Sequence, residues 1–277
     1  MFPRRTAFGL YPLLALWAFV VFAARAGIDI AVYTETVQWI AQPLAQQEAD
    51  KLIAALEGKP GIDSIVNIGM QDLAAWTEQH TVKNGHHIIV LYGDFPPTIY
   101  PQGNAEPDGS LAEEFLDAGN TFANSNDYFF WGLNGRNQEG GLQNMMDIPG
   151  ITMWDDNTPM TATAEGKKYM PNTLPDKYTV DRPFHVDQIA GTDWELEIAF
   201  GSNTGDQSGT RCDPCIIHNT QTDGRLIQVF QTNGLEQKEG EGLAEIILNY
   251  YLEAVDALPV EPKGKLSTTW ADLKIGR

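Results

Sequence analysis

In the first third of the chain, short runs rich in β-branched residues alternate with segments of helical period, and that alternation restricts the fold more than any other feature. The runs are Ile28 to Thr34, Ile62 to Ile68 and His87 to Tyr92. Between the first two, Leu44, Ala45, Ala49, Leu52, Ile53 and Leu56 recur at helical spacing over Gln42 to Leu56, with Pro43 suited to a first turn and Gly58 to a stop. A shorter helix over Asp72 to Thr77 separates the second run from the third. Strands that alternate with helices imply parallel pairing through crossover connections, and the near-continuous apolar third run fits a strand covered on both faces.

Beyond the third run the pattern becomes mixed. Gly93 to Gly109 is irregular and carries four prolines, Pro96, Pro97, Pro101 and Pro107, in the kind of loop where function tends to lie. Ser110 with Glu113 three residues on is a capping-box pattern, opening a helix through Leu111, Phe115 and Leu116 that stops at Gly119. Tyr128 to Trp131 is expected as the fourth strand, running into a Gly132–Arg136 turn and a short helix through Leu142, Met145 and Met146. Shorter strands are expected at Ile151 to Trp154, Met160 to Ala164 and Trp194 to Phe200, and Asn203 to Gly209 reads as a surface loop. Asp223-Gly224 marks a hairpin joining Ile216–His218 to Arg225–Thr232, and Gly242 to Leu258 is a final amphipathic helix.

Arg4 and Arg5, an apolar run from Ala7 to Ala24, and Ala24-Arg25-Ala26 before Gly27 make residues 1–26 a signal peptide for export to the periplasm or the extracellular space. The apolar run is also just long enough to anchor the chain in a membrane if it is not cleaved. Residues 27–258 then form one α/β domain, and residues 259–277 a tail in which Trp270 is a candidate interface or oligomer contact. Removing the three leader arginines takes the formal charge from -19 to -22. So acidic a chain disfavours nucleic acid and anionic ligands and leaves neutral ligands or cations as partners.

No strong catalytic motif is present, and no cofactor is implied. The two cysteines, Cys212 and Cys215, admit a small-loop disulfide or inert thiols, three metal ligands together with His218, or redox chemistry. His185 has Asp187 two residues away, a spacing that either holds one tautomer for catalysis or makes a structural hydrogen bond. Asp94 directly follows the third strand and either faces the crevice at the strand ends or bonds loop amides. Tyr92, Phe95, Tyr100, Trp131 and Trp154 concentrate near that crevice, where aromatic faces stack on sugar rings; Tyr92 and Trp131 also read as plain core.

The order strand, loop, helix, Ala118-Gly119-Asn120, strand and Gly-bounded turn, followed by Asp223-Gly224-Arg225-Leu226-Ile227 and a helix with Leu248-Asn249-Tyr250-Tyr251, resembles the trehalose-utilisation (ThuA)-like branch of the class I glutamine amidotransferase-like superfamily. The resemblance covers most of Ile28 to Leu258. It implies a three-layer α/β/α, flavodoxin-like fold with a mainly parallel sheet and extra β-hairpins in the C-terminal half. Active members of that superfamily carry a cysteine at a strained strand-to-helix turn. Aligning that turn with Gly132–Arg136 puts Asn134 in the nucleophile slot, which excludes glutamine amidotransfer by that route. Asn134, which also suits a tight turn for its own sake, is then expected to line a binding crevice with Asp94, Trp131, Arg136 and Glu139. Two functional readings follow: a non-catalytic exported module binding a carbohydrate-like or other neutral ligand or a protein, and a carbohydrate-active or metal-dependent enzyme using His185, Asp187 and Asp94.

Overall fold

A computed structural model describes residues 27–37, 39–103, 109–125, 128–231, 235 and 238–256. The leader, the tail with Trp270 and the last residues of the final expected helix lie outside these.

The elements run β1 (Ile28–Tyr33), α1 (Gln42–Leu56), β2 (Ile62–Asn67), α2 (Met70–His80), β3 (Ile88–Leu91), α3 (Leu111–Asp117), β4 (Thr121–Asn124) and α4 (Glu139–Met145). They continue with β5 (Thr158–Ala162), α5 (Ala164–Tyr169), β6 (Lys177–Val180), β7 (Phe184–His185), β8 (Trp194–Ala199), β9 (Gly201–Ser202), β10 (Arg211–Cys212), β11 (Cys215–Asn219) and β12 (Arg225–Gln228). A last helical stretch comprises α6 (Glu239–Ile246), a π-helical turn over Ile247–Tyr251 and α7 (Leu252–Asp256). The result is a mixed α/β protein. Its main sheet has seven strands in the order β2-β1-β3-β4-β12-β11-β8, and β11 pairs antiparallel with both of its neighbours. A second, antiparallel sheet has the order β6-β5-β9-β10-β7.

Strand alternation distributes the core over both faces of the main sheet. Ala31, Tyr33, Ile89, Leu91, Phe122, Ile217 and Leu226 pack with Leu73 of α2, Phe115 and Leu116 of α3 and Leu142 of α4. Ile30, Val32, Ile88, Val90, Ala123, Ile216 and Ile227 pack with Ala49 and Leu52 of α1 and Leu243 and Ile246 of α6. The helices α1 and α6 approach so closely at Gly240 that a Cβ there would stand 2.1 Å from the Glu48 carbonyl oxygen. The buried Glu48 carboxylate accepts the Gly240 N–H at 3.0 Å and pairs with Lys51 at 2.8 Å.

Ser110 caps α3 as its spacing predicts, its Oγ accepting the Glu113 N–H at 3.3 Å. The expected fourth strand at Tyr128–Trp131 is corrected: β4 is Thr121–Asn124, paired in parallel with β3 and β12. The buried Asn120 amide bonds the Phe115 carbonyl and the His87 N–H, so the chain enters the sheet directly after Gly119. Tyr128, Phe129 and Phe130 are core residues of a turn, with Phe130 at φ 59° and its ring 4.9 Å from Phe95 and 5.5 Å from Phe122. Ile151–Trp154 is not a strand either, since side chains satisfy its amides: Thr152 N–H donates to Gln188 at 2.7 Å and Met153 N–H to the Tyr128 hydroxyl at 3.2 Å.

Candidate functional site

The carboxyl ends of parallel strands are where open α/β sheets bind ligands, and here they are knitted together by the segment after β3. Gly93 leaves no room for a side chain, because a Cβ would lie 2.1 Å from the Thr36 carbonyl oxygen in the loop after β1. Asp94 N–H then donates to that oxygen at 2.9 Å, and Phe95 N–H donates to the Trp131 carbonyl at 2.6 Å. One stretch of backbone thus joins the β1 loop to the turn at residues 131–136.

Arg136 completes the join from the other side. Its Nη2 donates to the carbonyls of Phe95 at 2.7 Å and Tyr100 at 3.3 Å, and its Nε to Asn137 at 3.1 Å. Burial lowers its affinity for the proton, and the charge of the buried Asp94 pulls the other way. Arg136 is thus half-buried and bonded to the backbone of the segment after β3, and Asp94 is buried beside it. Asn134 is exposed and sits at φ 59°, ψ 32°, the left-handed conformation that Asn tolerates. Since β4 ends at Asn124, the residue immediately beyond that strand is the buried Ser125, and the turn holding Asn134 lies farther along the chain. The proposed nucleophile register for Asn134 is corrected accordingly.

One accessible part of this rim is aromatic, among exposed polar residues such as Asn134 and Asp156. Trp154 is 43% exposed; its indole N–H donates to Glu139 at 2.6 Å, and its ring lies 5.6 Å from Trp131 and 5.2 Å from Tyr128. Arg182 lies 4.6 Å from the Trp154 ring, held by the carbonyls of Asp155 at 2.9 Å and Asp181 at 2.7 Å and by the Asp156 carboxylate. Glu139, Trp131 and Trp154 thus come together as the sequence suggests. Arg182 and Tyr128 join them with no sequence signal to announce it.

The enzyme reading requires His185, Asp187 and Asp94 to converge, and the structure divides them between two groups. His185 is 4% exposed, with Nδ1 2.8 Å from the Gln188 amide nitrogen and Nε2 3.1 Å from Asp155 Oδ2, at an angle outside good hydrogen-bond geometry. Asp187 instead binds Arg211 at 2.6 Å, and Arg211 bridges to Asp155 at 2.6 Å. The carboxylate beside His185 is therefore Asp155 and not its sequence neighbour. Burial, reinforced by the Arg211 charge, holds His185 below the ordinary imidazole pKa against the pull of Asp155 and Asp187. Asp94 acts electrostatically on Arg136 and Tyr33.

The metal alternative at Cys212, Cys215 and His218 is also corrected. Cys215 and Ile217 belong to one face of the sheet and Ile216 to the other, so alternation along β11 sends His218 away from Cys215. Its ring nitrogens meet Asp223 at 2.9 Å and Glu195 at 3.2 Å. Both cysteines are free and buried; burial pushes the Cys212 thiol up to about 12 and raises Cys215 as well, so neither offers a thiolate. Among the described residues no group of three or more His, Cys, Asp or Glu side chains is arranged to hold a metal ion.

The remaining histidines gather at the opposite, amino end of the sheet. His80 Nε2 lies 3.4 Å from Asp29, and His87 Nδ1 accepts the Asp29 N–H at 3.0 Å. His86 is buried, with its Nε2 3.8 Å from Asp223, which also pairs with Arg225 at 2.9 Å. A cavity of about 200 Å³ lined by Glu57, Gly58, Ile62, Asp63, Ser64 and Ile65 lies at this end too, far from the aromatic rim.

No family model and no curated relative matches the chain. Among solved structures, a protein of Bacteroides uniformis ATCC 8492 provisionally named ThuA-like is similar at a TM-score of 0.42 and 10% identity, covering 84% of this chain and 94% of that one. Superposition at that level decides neither fold family nor function.

Proposed function

We propose that this chain is an exported, non-catalytic domain of the amidotransferase-like, flavodoxin-like type, which binds a neutral carbohydrate-like ligand at the carboxyl-end rim. The observation that carries this reading is Trp154, a 43% exposed indole anchored by Glu139 and backed by Trp131, at the end of the sheet where α/β proteins bind ligands. The acid–base candidates nearby are spent on internal contacts: His185 faces Gln188 and Asp155, and Asp187 holds Arg211. The thiols are buried and protonated, which supports a role without covalent chemistry. A charge of -19 favours an uncharged ligand over an anion. The leader pattern at residues 1–26 motivates the export component.

The test is a thermal-shift screen of the full chain against neutral mono- and oligosaccharides, with divalent metals in parallel. A ligand at one hundred times its Kd should add about 2.7 kcal/mol of stability, and Trp154→Ala should abolish that gain while leaving the unliganded protein folded. Saturable stabilisation by a metal and by no saccharide would refute the proposal.

A further inference from the structure

We infer that Gln188 and His185 are positioning residues for Trp154, forming a hydrogen-bond relay that holds the segment carrying the indole while the imidazole is neutral and releases it when the imidazole takes up a proton. The relay governs how the indole is presented, whatever ligand it meets, and so goes beyond the binding reading. Both flanks of Trp154 lead to this one ring. On one side the Thr152 N–H donates to Gln188 Oε1 at 2.7 Å, and Gln188 Nε2 lies 2.8 Å from His185 Nδ1. On the other, Asp155 Oδ2 lies 3.1 Å from His185 Nε2.

The backbone fixes the direction of the relay. A main-chain N–H can only donate, so Thr152 turns the Gln188 amide oxygen toward itself and the Gln188 NH2 toward the ring. That NH2 can only donate as well, so Nδ1 accepts, and the proton of the neutral imidazole sits on Nε2, facing the Asp155 carboxylate. The 3.5 Å approach of Gln188 Nε2 to Thr152 Oγ1 agrees with the same orientation. With the ring only 4% exposed, solvent has little access to stand in for these partners.

A second proton must enter at Nδ1, where it meets the Gln188 NH2, and donor then faces donor. Turning the Gln188 amide over brings Oε1 to the ring but directs the NH2 at the Thr152 N–H, so the conflict moves to the backbone and the Thr152 bond is lost. The charged groups facing the ring are Asp155 from the segment ahead of β5, Arg211 from β10 and Asp187 from the 3-10 turn Val186–Ile189. Burial and Arg211 oppose the added charge, the two carboxylates favour it, and the balance leaves the ring neutral at neutral pH. Trp154 stands two residues beyond Thr152, so slack there reaches the indole and its 2.6 Å bond to Glu139.

The experiment is an NMR pH series on the full chain without ligand, following the His185 ring protons, the Thr152 amide and the Trp154 indole together. As the ring titrates, the amide and the indole should shift with the same midpoint, and the Thr152 amide should lose about threefold to tenfold in protection from exchange, the worth of one hydrogen bond. Gln188→Glu supplies a carboxylate that accepts from both neighbours; it should raise the ring's midpoint and leave Thr152 protected on both sides of it. A Thr152 amide or Trp154 indole that stays put, or moves at a different midpoint, would overturn the relay. So would a ring that remains neutral down to acid unfolding, or a Gln188→Glu protein whose Thr152 amide responds as the parent's does. Because no saccharide is present, failure here leaves the binding reading standing, and failure of saccharides to bind leaves the relay standing.

Discussion

Replacing Gly240 by Ala tests how the C-terminal helix is seated, and the expected cost follows from the geometry. A methyl group at residue 240 would lie 2.1 Å from Glu48 O, 3.0 Å from Glu48 C and 3.2 Å from Leu52 N. All three are backbone atoms of α1, so no rotamer change relieves the clash and the helices must separate by about 1 Å. Overpacking of that kind costs about 1–3 kcal/mol. Separation also stretches the 3.0 Å bond from Gly240 N–H to the buried Glu48 carboxylate, a charge-assisted bond worth about 1.5–3 kcal/mol. Against these, Ala gains at most about 1 kcal/mol over Gly, the helix-interior value, because Gly240 is only the second residue of α6. The net expectation is a loss of about 1.5–6 kcal/mol. Gly140 in α4 supplies the control: it is exposed, has a helical backbone and has nothing within 4 Å of a Cβ, so Gly140→Ala should stabilise by about 0.5–1 kcal/mol. Urea denaturation of both variants measures the pair at constant m. Gly240→Ala as stable as the parent, or both variants shifting in the same direction, would refute the described α1–α6 contact.

The left-handed backbone at Asn134 predicts that Asn134→Gly is nearly neutral, while Asn134→Val costs about 1–2 kcal/mol in the same urea assay. At the β11–β12 hairpin, the hydrogen bond that His218 donates to Asp223, opposed by burial, holds His218 above the ordinary imidazole pKa. Its contribution is therefore full below pH 6.5 and is lost as pH rises through the raised value, so stability should decline from mildly acidic to mildly alkaline pH. That decline should flatten in His218→Gln; an unchanged pH slope would exclude the pair. His185 should titrate below 6.5 in an NMR pH series of the ring protons, and a midpoint above 6.5 would contradict its burial beside Arg211.

The parts of the fold that were legible in sequence are those where period and burial coincide. The α1 helix has its predicted bounds because its apolar residues hold one face against β-branched strands, and the Ser110 cap is a local interaction with a local spacing. The β4 strand was hidden because its four residues, Thr-Phe-Ala-Asn, carry little apolar pattern, while the louder Tyr-Phe-Phe-Trp run serves as a core-filling turn. The second sheet was largely unread: β7, β9 and β10 have two residues each, too short for any period to register. In the site, Trp131, Trp154 and Glu139 were visible as residue types near strand ends. The partners of His185 were not, since Asp155 reaches it across a separation of 30 positions that only the folded chain closes.

The central proposal is that the aromatic rim receives a neutral saccharide. Fluorine NMR of protein labelled with fluorotryptophan tests it directly, with resonances assigned by Trp→Phe variants. On adding an uncharged oligosaccharide, the account predicts saturable shifts at Trp154, and none at Trp194, which is 5% exposed and hydrogen-bonded to the Met146 carbonyl at 2.9 Å. Saccharide binding that leaves Trp154 unmoved would contradict it.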